Sequence, residues 1–591
     1  MIKCRLALVG LLRGFIGSAI LAMILVTAAY AGRPAAELLP ENTLGMISIS
    51  DTRDLAARFM NTDLGRMTQD PQMKPFVIQL YSSLSDLVAT FQDRIGLSLA
   101  EIVALPQGEV TFAVVPVKDA PPAYVLMMDA GDQINNARTL LQRGVEEAVK
   151  SGATKQEETV KDTKITIVSE PDQQRFACFD KDGAVVASTN PDVIKDILAA
   201  WNGEKTRFLS DNNNFKTIMS RCRGDKDERP QIIWFVDPIN IMRSIAEQNA
   251  AVRVGVAMLP MLGLDGLSAI GGGMLFDAGQ YNSVSHIHVL LENPRSGIIK
   301  MIALEPGVSK PERWVPPDVA SYTTLHCKFD TTLKTLKPMY DSLAGEGALS
   351  KWIEQRFSTP AGIDIEKEIL PALEGRVTYI TWFEKPITLV SGITLVAIKF
   401  KDTEALGKAV ENFVSQNQER ISQQSSAGKN YYRVMIPVPQ NRPNPPPVPI
   451  PCFGIVDDYL VIASRPSLYE RVLGTLAEGT KSLADELDFK LVASKIQRQS
   501  GGAKPVILGF NRSEEDMRYY YDLANAERTK EALKRQAERN PFFKSLDTAL
   551  QNNPLPPFEV IQRYLAPGGE MATDDDSGLH FMSFSLRRKG E

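Results

Sequence analysis

The passage CFDKDGAVVASTNPDVIKDIL at residues 178–198 is echoed by CFGIVDDYLVIASRPSLYERVL at residues 452–473. Both begin with Cys-Phe, pass through a turn into a β-prone run, and reach a proline that opens an amphipathic helical stretch. The second passage begins 274 residues after the first. A period this long excludes solenoids and propellers, whose repeats have about 20 to 50 residues, and indicates two related domains.

Further matches follow in the same order at offsets of about 265 to 276 residues. The matched pairs are LLPENTLGMISIS (38–50) with WVPPDVASYTTLH (314–326), FQDRIGLSLAEIVALPQGEVTFAVVP (91–116) with FSTPAGIDIEKEILPALEGRVTYITWF (357–383), and NNNFKTIMSRC (212–222) with ELDFKLVASKI (486–496). Unrelated chance matches would not keep their order. The sequence therefore predicts a tandem duplication, with residues 32–305 and 306–591 as the two units.

The fold class predicted for each unit is α+β, an antiparallel sheet layered with helices. β-branched and aromatic runs between turn residues predict strands, and apolar spacing near 3.6 residues predicts helices. In the first unit the predicted strands are 46–50, 110–116, 124–129, 164–169, 176–179 and 184–188, and the predicted helices include 53–61, 134–149 and 191–201. Strands follow one another through short turns more often than through helices, which favours antiparallel pairing.

Four strands run straight into a residue that can cap the next helix. These residues are Asp51, Asp237, Asp330, and Asn511 or Ser513. A carboxylate at a strand end also fits a catalytic role. Capping is the simpler explanation, because such a side chain accepts the first backbone N–H bonds of the helix.

The composition limits the classes of protein to which the chain can belong. The chain has 591 residues, of which 44% are hydrophobic and 23% are charged, as in soluble globular proteins. Lys and Arg number 66 and Asp and Glu number 71, so no basic field for a polyphosphate backbone is present and nucleic acid is excluded as the main partner.

The N-terminus predicts export. Lys3, Arg5 and Arg13 precede an apolar run at 14–27, and Ala29-Tyr30-Ala31 supplies a small-x-small pattern. Residues 1–31 therefore read as a secretory signal peptide cut after Ala31. The alternative is an uncleaved N-terminal anchor, since the apolar run from 14 to 31 is just long enough to cross a bilayer. With cleavage, no membrane span is expected.

Four cysteines remain after cleavage: Cys178, Cys222, Cys327 and Cys452. In an oxidising compartment they can form two disulfides with three alternative connectivities. They can equally be buried free thiols, since Cys178 and Cys452 lie in apolar strand contexts. A proline-rich loop at 436–451 has no counterpart in the first unit; it predicts a stiff extended spacer or a docking segment for a partner.

No catalytic motif was found in the sequence, so neither catalytic residues nor cofactors are predicted. His286 and His288 are two residues apart on a predicted strand, so their side chains face the same side of it. They are weak candidate metal ligands, because no third ligand is identifiable in the sequence. Asp180-Lys181-Asp182-Gly183 resembles the start of a calcium loop, but a hairpin turn is the simpler reading. The acidic run at 574–576 is expected to be a solvated turn.

The opening LLPENTLGMISISDTRDLAARFMNTDLGRMTQDPQMKPFV, the DKDGAVVAS passage and the closing LHFMSFSLRR resemble exported bacterial proteins of a domain-of-unknown-function family, the DUF3352-like, planctomycete-type group. The residues that carry the pattern are Leu39, Pro40, Thr43, Thr62, Leu64, Gly65, Asp70 and Pro71. The second unit keeps only Pro316 and the strand. The resemblance implies an exported envelope protein and supplies no reaction.

The leading hypothesis is a non-catalytic exported protein, periplasmic or extracellular, with a binding or structural role in the cell envelope. Its partner would be an envelope protein or a small ligand. The alternatives are a secreted hydrolase whose site is assembled from scattered residues, and a carrier of apolar cargo, which requires a lined cavity between sheet and helices.

Overall fold

The fold is described here from a computed structural model, which describes residues 33–82, 98–169, 175–224, 227–436, 450–479 and 481–588. The predicted signal peptide, residues 1–31, and most of the proline-rich loop at 436–451 lie outside these residues. Within the described ranges, no helix combines the length and the apolar character needed to cross a membrane.

The strands of the described chain form one antiparallel sheet of 20 strands. The first ten are β1 (Gly45–Ile49), β2 (Val110–Val117), β3 (Ala120–Asp129), β4 (Thr154–Val160), β5 (Thr163–Ser169), β6 (Arg175–Lys181), β7 (Ala184–Ser188), β8 (Ile232–Val236), β9 (Leu267–Ala278) and β10 (Tyr281–Leu291). The other ten are β11 (Ser321–His326), β12 (Leu373–Phe383), β13 (Gly392–Phe400), β14 (Ile421–Ser426), β15 (Lys429–Val434), β16 (Cys452–Val456), β17 (Tyr459–Ala463), β18 (Ile507–Asn511), β19 (Gly568–Asp575) and β20 (Gly578–Leu586).

Strand order is the same in the two halves of the sheet. From one edge to the middle it runs β4-β5-β6-β7-β3-β2-β1-β8-β9-β10. From the other edge it runs β14-β15-β16-β17-β13-β12-β11-β18-β19-β20, which is the first order with ten added to every strand number. We call β1–β10 with their helices the first half and the remainder the second half. The two halves join where β10 pairs with β20, which we call the seam.

Helices lie on both faces of the sheet. Their bounds are α1 (Thr52–Asn61), α2 (Asp63–Gln69), α3 (Leu99–Ala104), α4 (Ile134–Lys150), α5 (Pro191–Trp201), α6 (Asn213–Arg221), α7 (Pro238–Ala246), α8 (Ala250–Leu262), α9 (Gly297–Met301), α10 (Phe329–Ala344), α11 (Ala348–Ile353), α12 (Thr359–Ala361), α13 (Thr403–Gln416), α14 (Pro466–Glu478), α15 (Leu487–Gln499), α16 (Ser513–Asn525), α17 (Glu527–Ala537), α18 (Pro541–Asn552) and α19 (Phe558–Gln562). The predicted α+β class, an antiparallel sheet with helices, is confirmed.

The main core of the first half lies between one face of the sheet and helices α5 and α6. Helix α5 begins where predicted, because Asn190 caps it and Pro191 occupies its first turn. On its inner face Ile194 and Ile197 are fully buried. Along β3 the inward side chains alternate with outward ones such as Leu126, which fixes the face that lines this core.

The sequence prediction missed β4. Its residues, TKQEETV, are polar and almost all exposed, because β4 is an edge strand that pairs only with β5 among the described strands. An edge strand of this kind has no buried face, so the apolar alternation that identifies a strand is absent. The strand 184–188 and the helix 191–201 were predicted with the bounds that the structure has.

Candidate functional site

A cavity of about 500 Å³ opens in the first half between the sheet and helices α5 and α6. Part of its wall is apolar: Trp201 ends α5, and Phe215 and Met219 lie one turn apart on α6. Met127 of β3 and Leu38, which precedes β1, extend this wall. The volume falls within the roughly 300–1,000 Å³ of small-molecule sites, which are lined mainly by apolar side chains.

At two positions of the cavity the first half carries a smaller side chain than the second half does. Leu38 lies seven residues before β1, as Trp314 lies seven before β11, and Ala184 begins β7 as Tyr459 begins β17. Trp314 and Tyr459 are only 0% and 3% exposed, and their ring centroids lie 5.4 Å apart in an edge-to-face contact. Two aromatic rings thus fill in the second half the positions that the first half leaves open.

Glu109 contributes to the wall of the cavity with both carboxylate oxygens hydrogen-bonded. Its Oε2 accepts the backbone N–H of Ala35 at 2.9 Å, and its Oε1 accepts the hydroxyls of Ser48 at 2.7 Å and Thr111 at 3.0 Å. Backbone and hydroxyl donors thus hold this half-buried carboxylate in place. Glu109 therefore acts as a structural group that ties the segment before β1 to the sheet.

Carboxylates also line the cavity, and they lie toward its mouth, because they are half-buried or exposed whereas Leu38, Met127 and Phe215 are buried. Asp129 ends β3, and its Oδ1 accepts the backbone N–H of Gly131 at 3.0 Å. Burial raises the pKa of this carboxyl, against the opposing effect of that hydrogen bond. Asp182 accepts the indole N–H of Trp201 at 2.9 Å, and Asp51 caps α1. The arrangement combines an apolar interior with acidic groups at its entrance.

A larger cleft of about 1,000 Å³ lies in the first half beside the loop before β1 and helix α7. Its lining is rich in charged side chains that already have partners. Arg207 pairs with Glu41 at 3.0 Å, and Asp237 caps α7 through the backbone N–H of Asn240. This lining resembles an ordinary solvated groove more than the mainly apolar lining of a ligand site.

The candidate metal ligands His286 and His288 lie on β10, and His580 lies opposite His288 on β20. His286 Nδ1 lies 3.2 Å from His580 Nε2, and His288 Nε2 lies 3.4 Å from the hydroxyl oxygen of Ser577. Burial, followed by the charges of the other two histidines, lowers the pKa of His580 to about 3, and burial lowers the pKa of His288. In the part of the chain that the structure describes, no group of three or more His, Cys, Asp or Glu side chains is placed to hold a metal ion. A metal role for His286 and His288 stays a prediction, and the structure adds a third imidazole beside them.

The acidic turns are ion-paired. Asp574 accepts hydrogen bonds from both Nη groups of Arg295. Asp575 forms an ion pair with Arg221 at 2.7 Å. Asp180, in the turn that resembles a calcium loop, lies 2.6 Å from Arg138. These carboxylates therefore form ion pairs with arginines of neighbouring segments.

All four cysteines in the described chain are free. Burial raises the pKa of Cys178 to about 11 and that of Cys222 to about 12. A thiol needs to ionise to act as a nucleophile, so neither of these two is placed for catalysis.

Sequence reasoning did not find the cavity, because its residues come from distant segments and belong to no motif. The signal that reveals it is a difference between the two matched halves. Leu38 corresponds to Trp314 and Ala184 corresponds to Tyr459, so the first half has a smaller side chain than the second half at both positions.

Comparison with known proteins found a similarity to one family over part of the chain. Residues 25–230 match the sequence model of the family described as "Protein of unknown function (DUF3352)". Searches of the curated proteins and of the solved structures found no match. All the cavity residues named above lie inside the matched segment. The N-terminal part of the chain is therefore similar to this domain-of-unknown-function family, as the opening and DKDGAVVAS patterns predicted.

Proposed function

We propose that the chain is an exported, non-catalytic protein of the cell envelope that binds a small ligand in the first-half cavity. The observation that carries this proposal is the 500 Å³ space between sheet and helices, with its largely apolar wall. Export, to the periplasm or the cell surface, rests on the signal-peptide pattern of residues 1–31.

The tandem duplication belongs to the same proposal, with units at residues 32–305 and 306–591. The shared strand order, in which every strand number shifts by ten, supports it. Under this proposal the two copies have diverged in role. The first copy keeps a cavity for a ligand, and the second has filled that position with Trp314 and Tyr459 and serves as a structural partner.

The test is to fill the cavity as the second half fills it. We expect the wild-type protein to bind the neutral apolar probe N-phenyl-1-naphthylamine saturably at one site, measured by its fluorescence. Ala184→Tyr should weaken that binding at least about tenfold, because the new ring occupies the ligand volume. Leu126→Tyr, which adds a similar ring on the outward face of β3, is the matched control and should bind as the wild type does.

Circular dichroism and thermal unfolding establish that each variant is folded. Leu38→Trp offers a second way to fill the same space if Ala184→Tyr does not fold. Unchanged probe binding in a folded cavity-filled variant would show that the cavity is not the binding site. Mass spectrometry of an organic extract of the purified protein would identify a ligand retained from the cell.

A further inference from the structure

The charges at the mouth of the cavity are mainly negative in the first half. The carboxylates that line it are Glu37, Asp51, Asp129 and Asp182, besides the hydrogen-bonded Glu109. Asp51, Asp129 and Asp182 accept hydrogen bonds from neutral donors, either backbone N–H groups or an indole. None of these mouth carboxylates is ion-paired with a cationic residue among those the structure describes. An anionic entrance to an apolar space favours a positively charged ligand.

The second half supplies cations at the corresponding positions. Arg313 precedes Trp314 as Glu37 precedes Leu38, and its guanidinium pairs with both oxygens of Asp457 at 2.9 Å. Asp457 and Asp182 are each the first residue of the matching hairpin turn, with φ values of 53° and 50°. Where the second half pairs this aspartate with an arginine, the first half places a second acid.

The same reversal occurs at the end of β3. Asp129 pairs with the first residue of β7, and Lys399 pairs with the first residue of β17, so the two occupy one position in the shared strand order. Lys399 lies 2.8 Å from Glu374 and 3.4 Å from Asp458. The first half therefore lacks, at two matched positions, the positive charges that neutralise the acids of the second half.

Three arginines also line the cavity, but among the described residues none of them forms an ion pair with the mouth carboxylates. Arg33 donates to the backbone oxygen of Ala200 at 3.2 Å, and Arg223 pairs with Asp227 at 2.7 Å. Arg229 is exposed at the rim.

Asp129 also feels the positive charge of Arg53. Arg53 lowers the pKa of Asp129 only through space, because its Nη2 donates to Gln107. The carboxylates at the entrance therefore remain available to an external cation.

The apolar wall fits the remainder of such a ligand. The aromatic residues Trp201 and Phe215 line the cavity together with Met127 and Met219. An organic cation gains from an aromatic ring face as well as from a carboxylate, and its apolar body gains from leaving water. We propose that the cavity binds a small organic cation with an apolar body, with Asp129 and Asp182 receiving the charged group. This inference rests on the proposed ligand-binding function.

Three probes of matched shape test the ligand class by isothermal titration of the full mature protein. They are 3-phenylpropylamine, which is cationic, 3-phenylpropan-1-ol, which is neutral, and 3-phenylpropionate, which is anionic. We expect the amine to bind at least about tenfold more tightly than the alcohol, and the anion to bind most weakly, since a charge-assisted hydrogen bond is stronger than a neutral one.

Variants of Asp129 assign the effect to the entrance. Asp129→Asn keeps the oxygen that accepts from Gly131, so the fold should persist, and amine affinity should fall about tenfold while alcohol affinity stays within about twofold. Asp129→Lys copies the second half and should abolish the preference for the amine. Asp132→Asn, an exposed acid three residues away, is the matched control.

Equal affinity for amine and alcohol, or an amine affinity unchanged in Asp129→Asn, would overturn the cation proposal. In either case the neutral-probe experiment with Ala184→Tyr still decides whether the cavity binds ligands at all. The proposal that the cavity binds a ligand and the proposal that this ligand is a cation can therefore be contradicted independently.

Discussion

Gly65, in the first turn of α2, occupies a position that has no room for a side chain. A Cβ atom there would collide with the carbonyl oxygen of Phe59, because the chain turns sharply between α1 and α2. We expect Gly65→Ala to lower the free energy of unfolding by about 2 kcal/mol, measured by urea denaturation. Gly144→Ala, in open space on α4, should be neutral or stabilising by up to about 1 kcal/mol. A Gly65→Ala variant as stable as the wild type would contradict the predicted clash.

His580 makes the stability of the protein sensitive to acid. Its pKa is about 3 in the folded protein against an ordinary value of 6.5, so the unfolded chain binds the proton first as the pH falls. Stability is therefore present above about pH 6.5 and is lost progressively between about pH 6.5 and pH 3. Between pH 7.5 and pH 5 this residue should account for a loss of about 2 kcal/mol.

Urea denaturation at those two pH values measures the loss. His580→Gln should reduce it by about 2 kcal/mol, because the group that takes up the proton on unfolding is gone. His326→Gln, which lies on β11 away from the seam, should leave the loss unchanged. An equal loss of stability in His580→Gln and in the wild type would contradict the assignment of this pH dependence to His580.

At the scale of elements, the residues at which helices begin show how much of the structure local sequence can predict. Asp51 and Asp237 cap α1 and α7 as predicted. The predictions for Asp330 and for Asn511 or Ser513 were wrong. Helix α10 begins at Phe329, so Asp330 falls inside its first turn, and α16 begins at Ser513 without a side-chain cap. An aspartate beside a strand end is only a cap when the chain leaves the strand at the right angle, which tertiary packing decides.

This difference predicts unequal effects of the same substitution. Asp237→Ala should lower the free energy of unfolding by about 1 kcal/mol, because the backbone N–H of Asn240 loses its acceptor. Asp330→Ala should cost about 0.5 kcal/mol or less, since only a favourable charge near the helix N-terminus is lost. Thermal unfolding of both variants measures the contrast, and equal effects would argue against the capping role.

At the scale of the whole molecule, the two halves hold each other through reciprocal ion pairs across the seam. Arg295 of the first half binds Asp574 in the hairpin of the second half, and Arg587 of the second half binds Asp277 in the hairpin of the first. The side chains of Arg295 and Asp574 are only 15% and 14% exposed. Each half thus orders a turn of the other, and the sheet continues across the join.

The Arg295–Asp574 pair should show measurable coupling. In a double-mutant cycle with Arg295→Ala and Asp574→Ala, we expect a coupling of about 1–3 kcal/mol in the free energy of unfolding, because the pair is bidentate and largely buried. The exposed pair Lys150–Glu147 serves as the control and should couple by less than about 0.5 kcal/mol. A coupling energy no larger than that of the control pair would mean that the Arg295–Asp574 pair does not hold the halves together.

The α+β class and the helices and strands with clear apolar periodicity were determined by the sequence alone, because local burial patterns record which face of an element meets the core. The matched passages also predicted the duplication, which the shared strand order supports. The cavity could not be predicted in this way. It depends on Leu38 and Ala184, ordinary residues far apart in the chain, lying together where the other half places Trp314 and Tyr459.

The seam was likewise decided only by the tertiary structure. His286 and His288 were visible as a pair in the sequence, but their contact with His580 depends on β10 and β20 meeting as neighbours across 294 residues of chain. Periodicity acts over a few residues, whereas the space between packed side chains depends on segments that fold together from distant positions. Local sequence therefore determined the elements of this protein, and long-range packing decided where its cavity and its join lie.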